Sequence, residues 1–219
     1  MNKIPPSVFK EALRLLGAKE TGDLTVSLER AYETLMSVAK PRTVYKRVAA
    51  AQTEHGVMLD NTEFAGSDLK KLFAHSEEAF LLAATLGAET DALIRTKMSG
   101  DMAEAALLDV CANAEVERVC DILEKELFDV IGKGKYLTRR FSPGYGDLPL
   151  KYSSVIVNAL NTQKYIGLST TQASMLVPIK SVTAMIGISS VSENRGRRCE
   201  ECAANDSCIW QKRGERCGI

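Results

Sequence analysis

Residues 139–149 read RRFSPGYGDLP. Pro143 holds its φ at about −65° and Gly144 accepts a positive φ, so the pair is suited to the centre of a type II turn. Such a turn sets nearby backbone N–H and C=O groups at fixed positions, and the missing Cβ of Gly144 lets a ligand approach the main chain. Arg140 stands just upstream, where a guanidinium can grip a carboxylate through two parallel bonds. Tyr145 adds a ring face and a hydroxyl. A small ligand with a carboxylate at one end and a planar, polar-edged ring at the other matches this set. The competing reading is a rigid connector between a helix and a strand.

The elements around the loop determine what it connects. Upstream, Asp101 and Glu104 have capping-box spacing at the head of a long helix ending near Ile131, before Gly132 and Gly134. About 30 residues would make it about 45 Å long. Its alanines permit close packing, and Glu115 and Glu117 lie mid-helix beside an apolar seam. Cys111 and Cys120, nine apart on that helix, fall on opposite faces and read as packing residues. Downstream, KYSSVIVNALNTQKYIG predicts a helix, and ASMLVP and SVTAMIGIS predict strands separated by Pro178.

Nearer the N-terminus, Val8, Leu13 and Leu16 mark a helix over 7–16 closed by Gly17. Leu28, Tyr32, Leu35 and Val38 mark a second over about 25–40, stopped by Pro41. RTVYKRVAA alternates as a strand, EHGVMLDNTEFAG reads as strand and turn, and Ser67 is placed to cap a short helix, DLKKLFAH. AFLLAATLG is a buried strand leading into a helix over AETDALIRTKM. This order of elements predicts an α+β fold with a mixed sheet and long helices, over residues 1–191. A short Cys-rich tail, 192–219, follows.

The chain has 219 residues, with 45% hydrophobic and 26% charged, enough to bury a core. Lys+Arg and Asp+Glu both total 28, so no net field gathers phosphates and nucleic acid is a poor partner. MNKIPPSVFKEALRLLG lacks a signal-peptide core, and the apolar runs are too short to span a membrane, so a cytoplasmic location is expected. There is no G-x-G-x-x-G, Walker, G-x-S-x-G or H-E-x-x-H motif. The two histidines, His55 and His75, suggest no catalytic triad.

Arg140-Phe141-Ser142-Pro143-Gly144-Tyr145 resembles the R-x-x-P-G-Y loop of the activation (reactivation) domain of cobalamin-dependent methionine synthase. CANAEVERVCDILEKEL resembles the helix ahead of that loop, and GLSTTQASMLVPIKSVTAMIGIS the family's later motif. The similarity spans roughly residues 100–190. It implies a fold of that type and binding of S-adenosylmethionine (AdoMet). By position, Arg140 would bind the AdoMet carboxylate. Ser142 and the Pro143-Gly144 turn would hold the adenosyl end, with Tyr145 lining the site. An acidic group should meet the ammonium and sulfonium. Glu115 and Glu117 point about 200° apart, so at most one faces the ligand, with Glu115 preferred.

The resemblance further implies reductive methylation of cob(II)alamin, with a flavodoxin- or ferredoxin-type electron donor. The chain has no D-x-H-x-x-G cobalt-ligating motif, so cobalamin would sit on a partner: a methionine synthase lacking its own activation domain, or another corrinoid protein. The loop departs from the family after the tyrosine, with Gly146-Asp147-Leu148-Pro149 in place of Pro and Cys, and Ala184-Met185-Ile186 replaces an aromatic pair. The alternatives are a metal-tailed adaptor protein with no AdoMet chemistry, and an AdoMet-dependent methyltransferase for another substrate. The tail contributes Cys199, Cys202, Cys208 and Cys217, spaced C-x2-C-x5-C-x8-C beside six Lys/Arg. These could hold Zn2+ or an iron–sulfur cluster, or remain thiols or disulfides.

Overall fold

The structure is a computed structural model describing residues 3–192. The Cys-rich tail, with Cys199, Cys202, Cys208 and Cys217, lies outside the described residues. Helix α1 (Pro6–Leu16) starts with a proline in its first turn and ends at Gly17, φ 62°. Helix α2 (Gly22–Val38) is capped by the Thr21 hydroxyl and buries Leu28, Tyr32 and Leu35. Strand β1 (Arg42–Gln52) follows, then the hairpin of β2 (Gly56–Leu59) and β3 (Thr62–Ala65). Asp60 and Asn61 turn that hairpin with φ 46° and 68°, the backbone a two-residue turn with matching twist demands. Then come α3 (Ser67–Leu72), β4 (Ser76–Thr85), α4 (Ala88–Met98), α5 (Met102–Val130) and β5 (Tyr136–Leu137). The chain finishes with α6 (Tyr152–Ala159), α7 (Thr162–Ile166), β6 (Ser169–Thr170), β7 (Leu176–Val177) and β8 (Ser181–Ser189).

The main sheet has the order β3-β2-β1-β4-β8-β5, and β6-β7 form a separate pair. The α+β class is as expected. The sheet differs from the expected mixture in that every strand pair is antiparallel. The long connections, from β1 to β4 and from β4 to β8, join antiparallel neighbours. Central β4 is buried on both faces, which explains its unbroken apolar run. Phe80 and Leu82 meet Leu123 and Leu127 of α5, while Ala79, Leu81 and Ala83 meet the α3 and α6 side. Helices α1, α2 and α5 form one packed layer through Val8, Leu28, Leu35, Leu108 and Ala112.

Four local expectations are met only in part or not at all. The capping box of α5 is half realised: Asp101 accepts the Glu104 N–H at 2.9 Å. The Asp101 N–H already reaches the Lys97 carbonyl at 2.7 Å, and the Glu104 carboxylate turns to the Lys97 ammonium at 2.6 Å. Ser67 does not cap α3, since it lies inside the helix and Gly66 stands at the cap position without a side-chain bond. Asp147 takes that role, accepting N–H bonds from Ser67 at 2.6 Å and Asp68 at 3.2 Å. The single helix expected over 151–167 is split by Asn161, φ 50°, into α6 and α7. The strand expected over ASMLVP shrinks to Leu176–Val177, hemmed in by Ser174, φ 61°, and Pro178.

Candidate functional site

The 139–149 loop is pinned at three points. Phe141 exchanges both backbone bonds with Met185 of β8, at 3.0 and 2.9 Å. Tyr145 N–H closes on the Ser142 carbonyl at 3.2 Å, and Gly144 has φ 93°, so Pro143-Gly144 does form the centre of a type II turn. Asp147 then fastens the far end of the loop to the N-terminus of α3, where the helix dipole favours a carboxylate. Burial alone would raise the Asp147 pKa, but the bonds from Ser67 and Asp68 outweigh it and hold the carboxyl below its usual value. Gly146, φ 54°, passes so close to Asp68 that a Cβ there would collide with the Asp68 carboxylate. The loop is therefore a fixed platform.

Beside that platform lies a cleft of about 440 Å³, lined by Ser142, Pro143 and Tyr145 from the loop. Asn113, Val116 and Glu117 of α5 make one wall; Lys180, Ser181 and Thr183, at and beside the start of β8, make another. Helix α1 closes the side with Glu11 and Arg14, an ion pair spaced i, i+3. The volume is that of a small-molecule site, and its few polar groups converge on a largely apolar lining.

Of the residues singled out from sequence, Ser142, Pro143 and Tyr145 come together on this cleft, and Gly144 lies between them in the turn. Arg140 is adjacent but engaged: its side chain, 16% exposed, bonds Glu117 at 2.6 Å, Asp121 at 3.3 Å, and Glu124. Glu115 is the correction. It is fully buried in the helical layer, held by Arg118 at 2.7 and 2.8 Å and by the Tyr32 hydroxyl at 3.1 Å. Glu117, on the other side of α5, faces the cleft. The i, i+2 offset separates the two correctly; the packing of α2 on α5 decides which one is buried.

Two site residues carried no motif. Lys180 donates to Asn113 at 2.8 Å and to Asp109 at 2.7 Å, with its own side chain 10% exposed. Asp91 of α4 accepts the N–H groups of Ile179 at 2.6 Å and Lys180 at 3.3 Å, fixing the main chain there. One signal was present: Lys180 is the single charged residue between Lys164 and Glu193.

Cys111 and Cys120 are fully buried, in keeping with their reading as packing residues. Burial, and for Cys111 the Glu115 carboxylate, pushes both thiols up to about 12, and Tyr32 is pushed up to about 12 by burial and the same carboxylate. Raised native values mean that the stability these groups contribute is complete below their unfolded pKa values and is lost as pH rises towards 12. Chemical denaturation between pH 8 and pH 12 should show stability falling from about pH 9, by up to about 1.4 kcal/mol per pH unit for each group that ionises only when unfolded. A flat profile to pH 11 would contradict the burial.

Among the described residues no group of three or more His, Cys, Asp or Glu side chains could hold a metal ion. No described helix is long and apolar enough to cross a membrane. No family model matches the chain, and no curated protein matches it. Among solved structures, the crystal structure of the MetH reactivation domain bound to AdoHcy matches with TM-score 0.62 and 15% identity, over 98% of this chain and 86% of that one. At that identity the likeness speaks for the backbone arrangement: the chain has the fold of the MetH reactivation domain.

Proposed function

We propose that the chain is an AdoMet-binding reactivation module serving a cobalamin-bearing methyltransferase, in the first place a methionine synthase without an activation domain of its own. The observation that carries this reading is the rigid Ser142–Tyr145 turn forming the edge of a ligand-sized cleft. That the neighbour of the same fold is bound to AdoHcy supports it. Ser142 and the Pro143-Gly144 turn hold the adenosyl end, Tyr145 lines it, and Glu117 faces the ammonium and sulfonium. Bound AdoMet supplies the methyl group; the platform orients its sulfonium. Arg140 contributes to the ligand carboxylate, which then replaces one of the three acidic partners on α5. The electron comes from a flavodoxin- or ferredoxin-type donor.

Titration calorimetry should give saturable binding of AdoMet and AdoHcy to the whole chain. Arg140→Ala should weaken AdoMet by about tenfold to a hundredfold, the loss of a charge-assisted bond. No heat and no thermal shift with either ligand refutes the reading, while unchanged affinity in folded Arg140→Ala removes only Arg140 from the site.

For the tail we propose that Cys199, Cys202, Cys208 and Cys217 ligate one Zn2+ or an iron–sulfur cluster, supported by the C-x2-C spacing of the first pair. Anaerobically purified protein should contain near-stoichiometric zinc or iron, and Cys199→Ser/Cys202→Ser should lose it. Metal-free protein with four titratable tail thiols contradicts the site.

A further inference from the structure

Every charge on the cleft wall is spoken for by a neighbour, yet one is only partly satisfied. An ammonium has three N–H donors; that of Lys180 has two acceptors among the described residues, Asp109 and Asn113. Its side chain is nine-tenths buried, so the third donor has little water to turn to. Lys180 and its acceptor Asn113 both line the cleft, which puts the charged end at the wall. The backbone beneath is held through the Asp91 carboxylate, so the side chain starts from a fixed point. Its counter-ion Asp109 is 44% exposed and remains partly hydrated, which weakens the pair and lowers the cost of sharing the ammonium with a second anion.

Arg140 differs in each respect. Three acidic groups surround it, and a ligand carboxylate must displace one of them. We propose that Lys180 is a second carboxylate-binding residue of the cleft, one that takes the amino-acid end of the ligand without any protein partner having to leave. The inference rests on the AdoMet reading above. Its geometry also accounts for selectivity. Asn113 and Glu117 are one turn apart on α5, so the Lys180 ammonium and the Glu117 carboxylate are neighbours of opposite sign along one wall. An α-amino acid, with its carboxylate and ammonium on one carbon, matches that pair; a ligand carrying either charge alone does not.

The test compares AdoMet with 5′-methylthioadenosine, which keeps the adenosyl end and lacks the carboxylate, the ammonium and the sulfonium charge, by calorimetry on the full chain. Lys180→Met should weaken AdoMet by about tenfold or more while methylthioadenosine stays within about twofold, and Lys180→Arg should recover part of the loss. Asp109→Asn, which frees the ammonium, should tighten AdoMet by about threefold and leave methylthioadenosine unchanged. A Lys180 that served only to neutralise Asp109 would show no such tightening. Unchanged AdoMet affinity in Lys180→Met, or equal losses for both probes, overturns the inference while the AdoMet reading stands. Failure of the unaltered chain to bind AdoMet overturns that reading and the inference with it.

Discussion

A cobalamin-dependent methionine synthase that lacks its activation domain, once inactivated to cob(II)alamin, should regain methylcobalamin with AdoMet and a low-potential reductant only when this chain is added. The expected rate difference is about a hundredfold or more, because orienting a methyl donor in line with its acceptor converts a random encounter into a positioned one. The structure supports that expectation through the three fastenings of the 139–149 loop: the Phe141–Met185 bridge, the Ser142–Tyr145 turn and the Asp147 cap on α3. A platform held on β8 at one end and on α3 at the other cannot follow the thermal motion of a free loop. On the proposed function the chain alone should transfer no methyl group, since that reading assigns both cobalt and electron to other proteins. The cobalamin spectrum reports the outcome directly. Recovery equally fast without this chain would remove the reactivation role, whereas full recovery with Arg140→Ala would remove only Arg140 from the site.

Arg118→Met should destabilise the fold by about 3–5 kcal/mol, the cost of leaving a buried charge without its partner. Glu115 is fully buried, and after the substitution only the Tyr32 hydroxyl would remain bonded to its carboxylate. For a chain of this size that loss lowers the melting temperature by about 10 °C. Glu115→Gln/Arg118→Gln should recover most of it, because no charge is then left in the interior and the amide can still accept from Tyr32. Glu115→Gln alone should leave AdoMet affinity unchanged. A melting temperature for Arg118→Met within about 1 °C of the unaltered chain would contradict the packing described.

The same two carboxylates mark the boundary between what local sequence dictates and what packing decides. Periodicity along α5 places Glu115 and Glu117 on opposing sides, and likewise Cys111 and Cys120, because 3.6 residues per turn is a property of the backbone itself. The Pro143-Gly144 turn, the Gly17 stop and the unbroken apolar run of β4 are likewise local facts, and the structure repeats them. Which side of α5 faces Tyr32 and which faces a cleft depends on where α2 and β8 pack, and no residue on α5 encodes that alone. Asp147 reaches Ser67 across 80 positions and displaces a cap that the helix sequence itself suggested. Lys180 becomes a site residue because Asp91, 89 positions earlier, holds its backbone and Asp109 and Asn113 receive its ammonium. Turns and helical phases arise from torsional preferences within a few residues, so the sequence by itself determined them. Partners for buried charges come from whichever elements the hydrophobic core brings alongside, and only the tertiary structure decided those.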